Sequence, residues 1–157
     1  MKTKLERFFK KPTSILMGCF LMMTVLASLT VCNLFGGETE PLWEAGTSRT
    51  KTVVISDLHL GIDDRYTETI KNRPYLVNFL QRLAKTDDVK ELVIAGDFLD
   101  DWYLPVYYPS YTDVVKFYED CISNNQVVFN ELNDIIAKGI KVAYVPGNHD
   151  LLLESSV

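Results

Sequence analysis

An α/β fold with a parallel sheet is predicted by three observations. Thr52–Ser56 (TVVIS), Glu91–Ala95 (ELVIA) and Lys141–Val145 (KVAYV) are short β-branched runs, each ending at turn residues. Segments with apolar residues at helical spacing separate them, so the order is βαβαβ, which implies right-handed crossovers and parallel strands. Each run is followed by a turn carrying Asp, His or Asn. Near-continuous apolar runs of this kind suit strands covered on both faces.

Residues 1–32 are read apart from this unit. Lys2, Lys4, Arg7, Lys10 and Lys11 against Glu6 give residues 1–14 a charge of +4, and the uncharged run Ile15–Val31 follows. A basic flank before an apolar stretch is the pattern of a signal peptide or an N-terminal signal-anchor. The run sits near the lower length limit for a membrane span. No clean cleavage site stands behind it, so cleavage and anchoring both stay open. The body is then expected to be exported or membrane-anchored, outside the cytoplasm. Residues 33–50, with Gly36, Gly37, Pro41 and Gly46, read as a linker, and residues 51–157 as the folded part. Cys19 and Cys32 belong to the apolar segment. Cys121 alone is left in the body, which excludes a disulfide within it.

In the body, Pro74–Ala84 is the first helix, with Leu76, Leu80 and Leu83 on one stripe and Pro74 in its opening turn. Asp113–Lys138 reads as one long helix with the stripe Val114, Tyr118, Cys121, Val128, Leu132 and Ile135. Thr112 is its candidate cap and Gly139 its stop. Between the second strand and this helix, Asp101–Tyr111 holds Trp102, Tyr103, Tyr107, Tyr108 and Tyr111, which either cover core or face a substrate.

Charge narrows the function. The whole chain carries −5, so everything after residue 14 carries −9. Such a body does not coat nucleic acid, because it would repel the phosphate backbone. Clustered carboxylates suit cations instead. The strand-end turns are Asp57-Leu58-His59, Gly96-Asp97-Phe98-Leu99-Asp100 and Gly147-Asn148-His149-Asp150, and both histidines of the chain lie in them. In an open α/β sheet, ligands gather at the carboxyl ends of the strands. Singly, each acid is a common turn former. Three such turns in register with three strand ends are far less ordinary.

Hard oxygen with borderline nitrogen suits Mn, Fe or Zn, with Mn favoured, over Ca or Mg. Asp57 and His59 would hold one ion, Asn148 a second, and Asp97 could bridge them. A pair of ions orients a phosphoryl group and acidifies a water into a nucleophile. His149 could then protonate the leaving oxygen, with Asp100 orienting its imidazole. Arg65, beside Asp63 and Asp64, and Trp102 are minor candidates for substrate contact.

SDLHLG (Ser56–Gly61), GDFLD (Gly96–Asp100) and GNHD (Gly147–Asp150) together closely resemble the calcineurin-like metallophosphoesterase family. SDLHLG with GDFLDDW looks most like the branch that contains UDP-diacylglucosamine pyrophosphohydrolases. The resemblance implies Asp57, His59, Asp97 and Asn148 as ligands of two divalent ions, His149 as catalytic histidine and Asp100 as its partner. It implies a phosphorylated small-molecule or lipid substrate and a two-sheet αββα sandwich, of which three strands are a part. The family also supplies histidine ligands from a Gly-His-x-His motif in its second half, whereas this sequence has two histidines in all. The expectation is therefore the N-terminal part of a longer phosphoesterase, inactive by itself. The alternative is a non-catalytic, membrane-anchored remnant that binds metal weakly.

Overall fold

A computed structural model describes residues 39–108 and 113–152. The predicted signal or anchor segment lies outside the described residues, as do Pro109, Tyr111 and Thr112. No helix among the described residues is long and apolar enough to cross a membrane.

Three strands, β1 (Lys51–Ile55), β2 (Val89–Ala95) and β3 (Lys141–Val145), form one parallel sheet in the order β1-β2-β3. Val53 pairs with Leu92 and Leu92 with Val142; Ile55 pairs with Ile94 and Ile94 with Tyr144. These residues share one face because side chains alternate along a strand. β2 starts two residues before the predicted Glu91. Val89 is fully buried, and its N–H is taken by Thr86, so pairing begins as soon as the chain leaves that turn.

Helix α1 (Arg73–Ala84) joins β1 to β2 after a 3-10 turn at Glu68–Lys71. It buries Leu76, Leu80 and Leu83 as the stripe predicts, and Pro74 sits in its first turn. The long second helix is in fact two, α2 (Val114–Asn124) and α3 (Gln126–Ala137). The break is Asn125, whose φ of −112° and ψ of 25° leave the helical region. Its buried side-chain amide donates to the Cys121 carbonyl at 2.8 Å and to the Gly61 carbonyl at 2.9 Å. An Asn side chain that bonds backbone in this way competes with the helix ladder. Asp113, whose carboxylate accepts from the Lys116 N–H at 2.9 Å, is the N-cap. The stop at Gly139 holds as predicted: φ is +80°, Gly139 N–H bonds Ile136 and Ile140 N–H bonds Ile135. That pairing is the Schellman C-cap, which favours glycine.

Successive strands advance in one direction across the sheet, so crossovers of one hand fall on one face. Accordingly α1 packs on α3, and α3 on β3. The core between helices and sheet includes Leu80, Leu83, Leu92, Ile94, Phe117, Phe129, Leu132 and Ile135. The strands were expected to be covered on both faces. Among the described residues only one face is covered; Val54 and Val145, on the other, are 61% and 53% exposed. A second sheet is not among the described residues.

The end of the segment read as a linker is tied to the body. Asp88, buried, accepts from Trp43 Nε1 at 2.7 Å and from Gly46 N at 2.9 Å, and pairs with Lys51 Nζ at 2.8 Å. Leu42 and Trp43 pack against the core. The Lys51 ammonium and these donors lower the Asp88 carboxyl to about 2. A depressed carboxyl adds stability that is complete above its ordinary value of 3.8 and is lost as pH falls through about 2. With Trp102→Phe leaving Trp43 as the sole indole, emission should therefore hold from neutrality down to about 4 and shift only below it. Adding Asp88→Ala should give the acid emission already at neutral pH; a shift centred near 6 with Asp88 in place would contradict this anchoring.

Candidate metal centre

The turns after the strands are joined by backbone hydrogen bonds before any side chain is considered. The Asp97 carbonyl accepts from the Leu58 and His59 N–H groups, each at 2.9 Å. Asp57 N–H donates to Gly96 O, and Leu60 N–H to Phe98 O at 2.9 Å, so pairing continues beyond β1 and β2 to a bridge between Leu60 and Leu99. Gly96 N–H donates to Val145 O at 2.8 Å, which ties in β3. Leu60 is fully buried, so the first motif is rooted in the core while its neighbours reach the edge.

Three residues here are held in the left-handed region: Asp57 at φ 56°, His59 at 46° and Asp97 at 51°. Asp and His tolerate this region better than branched residues, yet each position still costs about 1–3 kcal/mol. Strained residues of this kind cluster at active sites and ligand clamps. The effect here is to gather the side chains. Ligand atoms of Asp57, His59 and Asp97 all lie within 4.8 Å of one another, and His59 Nε2 is 4.0 Å from Asp97 Oδ2. That separation is too long for a hydrogen bond. Donor atoms on one ion, with bonds of about 2.1 Å, stand roughly 3 to 4.2 Å apart, so the trio fits a divalent ion with a small inward movement.

Asp97 also meets the third turn. Its Oδ1 accepts from the His149 N–H at 3.0 Å. A Cβ on Gly147 would lie 2.1 Å from that same Oδ1, so only glycine lets the two turns meet. Asn148, exposed, stands between Gly147 and His149. A second ion would have to share Oδ1 with the His149 N–H, through the remaining lone pair.

A second group, His59, Asp100 and His149, is also close enough to be read as a metal trio. Asp100 Oδ2 is 3.2 Å from His59 Nδ1, and Oδ1 is 3.3 Å from His149 Nδ1, both within hydrogen-bond reach, so the carboxylate bridges the two imidazoles directly. A carboxylate only accepts, so each imidazole would donate from Nδ1, and Nε2 is the ring nitrogen not engaged by Asp100. For His59 that Nε2 faces Asp97. For His149 it is the atom that could serve a substrate. The sequence reading joined Asp100 to His149; the structure joins it to both histidines.

Three residues with structural roles at this edge were missed. Asp150 is fully buried; its Oδ2 accepts from the Phe98 and Leu99 N–H groups at 2.8 and 3.3 Å, and its Oδ1 from Gly147 N–H at 2.5 Å. It clamps the second turn to the third. Asp101, buried, accepts from Tyr118 Oη at 3.0 Å, and loss of solvent pushes its carboxyl upward. Asn125 fixes the first turn through Gly61, as described above. An Asp that follows GNH could have been recognised as a turn clamp; nothing in the local pattern marks Asn125 or Asp101.

Of the minor substrate candidates, Arg65 is exposed and its guanidinium is paired with Asp63 at 2.6 Å and bonded to the Tyr107 hydroxyl. Trp102 stacks on His149 with ring centroids 3.9 Å apart and planes at 23°. Cys121 is buried and unpaired, and burial pushes its thiol up, so it is packing rather than chemistry.

Residues 50–156 match the family model of calcineurin-like phosphoesterases. The chain belongs to this family. The match covers all three turns and most of the chain, in agreement with the resemblance carried by SDLHLG, GDFLD and GNHD. Comparison with characterised proteins and with solved structures gives no significant match.

The contact of Gly147 with Asp97 makes a direct prediction. Gly147→Ala should destabilise the fold by about 1–3 kcal/mol, the usual cost of overpacking. It should also weaken divalent-metal binding, because Asp97 must move to admit the methyl. Unchanged melting temperature and metal affinity in this variant would refute the close approach.

Proposed function

We propose that this member of the family hydrolyses phosphoester or pyrophosphate bonds in a phosphorylated small molecule or lipid, using divalent metal held by its strand-end turns. The observation that carries the reading is the convergence of Asp57, His59 and Asp97 within 4.8 Å, all three at positive φ. Asp57, His59 and Asp97 would hold the first ion, and Asp97 with Asn148 would hold the second. Bound ions supply Lewis acidity to the phosphoryl oxygens and lower the pKa of the attacking water. His149, as an imidazolium with Nδ1–H held by Asp100, would present its Nε2–H to the leaving oxygen and give up that proton as the P–O bond breaks, ending as the neutral ring protonated on Nδ1. The apolar, basic-flanked residues 15–31 support association with a membrane and a location outside the cytoplasm.

The two ion positions are unequal. The first has two carboxylates and an imidazole; the second has one shared carboxylate and an amide oxygen, and Asp97 Oδ1 already accepts a hydrogen bond. Lacking a charged ligand worth about 1.5–3 kcal/mol, the second position should bind roughly 10- to 100-fold more weakly. This inequality is also what would make the chain a metal-binding remnant without turnover. Titration with Mn(II) tests this: the chain by itself should bind one tight equivalent and show negligible turnover of bis-p-nitrophenyl phosphate, because the second position stays weak. Two tight equivalents with steady turnover from this chain would contradict the unequal positions, and turnover complete at one equivalent would refute the two-ion reading.

In the complete protein, Asp97→Ala should lower metal content and activity more than Asp57→Ala or Asn148→Ala, since only Asp97 serves both ions. Equal losses, with metal content unchanged in the Asp97 variant, would contradict the bridging role. His149→Ala should slow alkyl phosphoesters far more than p-nitrophenyl esters, whose leaving group needs little protonation. A uniform loss would assign His149 to positioning instead.

A further inference from the structure

The His149 imidazole is held on its Nδ1 edge by Asp100 at 3.3 Å and met edge-on by the His59 ring at 4.6 Å and 87°. What orders its face is Trp102, whose ring stacks at 3.9 Å and 23°. Trp102 stands two residues after Asp100, at the end of the GDFLDDW run that also carries Asp97. Burial does not hold it there, since it is 60% exposed. The loop is built to place it. Asp100 Oδ1, the oxygen beside His149 Nδ1, also accepts from the Trp102 and Tyr103 N–H groups at 2.8 and 3.2 Å. Asp101 N–H donates to the His149 carbonyl at 2.9 Å. Further along, Tyr107 Oη donates to Asp63 Oδ2 at 2.9 Å and fastens the loop to the segment after β1.

We propose that Trp102 is a positioning residue for His149, fixing the imidazole plane so that Nε2 faces the metal edge while Asp100 fixes its rotation about the Nδ1 contact. One carboxylate sets both partners: it bonds the imidazole edge and, through the Trp102 amide, brings the indole over the imidazole face. A stacked aromatic pair favours its own geometry roughly 2- to 10-fold, enough to select one ring orientation among a few. Direct stacking of a substrate on Trp102 is the rival use of the same ring. It differs in one respect: it would act without His149.

The contact can be tested without substrate, because the chain has only two histidines and its imidazole NMR spectrum holds two spin systems. The carbon-bound ring protons of His149 should be shifted upfield by the indole, and its Nδ1–H should be visible and protected. Trp102→Ala should abolish the upfield shift and broaden the Nδ1–H, and Trp102→Phe should restore both. Unchanged His149 resonances in Trp102→Ala would overturn the proposal. The catalytic arm rests on the phosphoesterase reading. There Trp102→Ala should cost roughly tenfold with an alkyl ester, part of the about 100-fold or more that a placed general acid contributes, and much less with a p-nitrophenyl ester. In a His149→Ala background the same change should cost nothing further. A loss that persists there, as a raised KM for both esters, would overturn positioning in favour of substrate stacking. The NMR signature intact, with no turnover even in the complete protein supplied with metal, would refute the phosphoesterase reading and leave the positioning role standing.

Discussion

Everything at this edge depends on how Asp97 is held. Its main-chain carbonyl takes the Leu58 and His59 N–H groups of the first turn, and its carboxylate takes the His149 N–H of the third. One residue thus binds all three turns, and the remaining carboxylate oxygen is turned toward His59. Two backbone bonds and one to an ionised group, at about 0.5–1.5 and 1.5–3 kcal/mol respectively, are of the same size as the strain of the left-handed residues they enforce. Strained turns persist only where the surroundings over-determine them, and here the surroundings are the zipper from Asp57 to Leu60, the Asp150 clamp and the missing Cβ of Gly147.

The fold serves this edge by simple means. A parallel sheet whose strands advance in order puts both crossovers on one face and all three carboxyl ends at one side. The helices bury one face of the sheet and root Leu60 and Leu99 beneath the turns, so the ligand-bearing residues are mounted on packed core rather than on free loops. Rigid mounting matters because a metal centre or a proton donor displaced by an ångström loses most of its effect. The Asn125 break fits the same logic. By interrupting one helical run, it delivers a buried amide to Gly61, at the end of the first motif.

Much of this was legible in the sequence, and the rest was hidden for identifiable reasons. β-Branched runs located the strands, and the turn residues after them located Asp57, His59, Asp97, Asn148, His149 and Asp100 at one edge. The division of α2 from α3 was not legible because the apolar stripe from Val114 to Ile135 stays in phase across the break. Periodicity reports which face is buried, and Asn125 interrupts the ladder without changing the face. The cap at Asp113 and the clamp at Asp150 look like ordinary turn carboxylates until their backbone partners are known. Membership of the calcineurin-like phosphoesterases rests on residues 50–156 as a whole, which no single turn could establish.

The central proposal is that the tight ion would be bound by one imidazole, His59 through Nε2, while His149, bonded to Asp100, would serve the leaving oxygen rather than the metal. Electron paramagnetic resonance of the chain with one equivalent of Mn(II), resolved by electron spin echo modulation, counts coordinated imidazole nitrogens directly. One histidine nitrogen coupling, lost in His59→Ala and retained in His149→Ala, is the predicted result. Two couplings, or one that disappears with His149, would contradict the assignment.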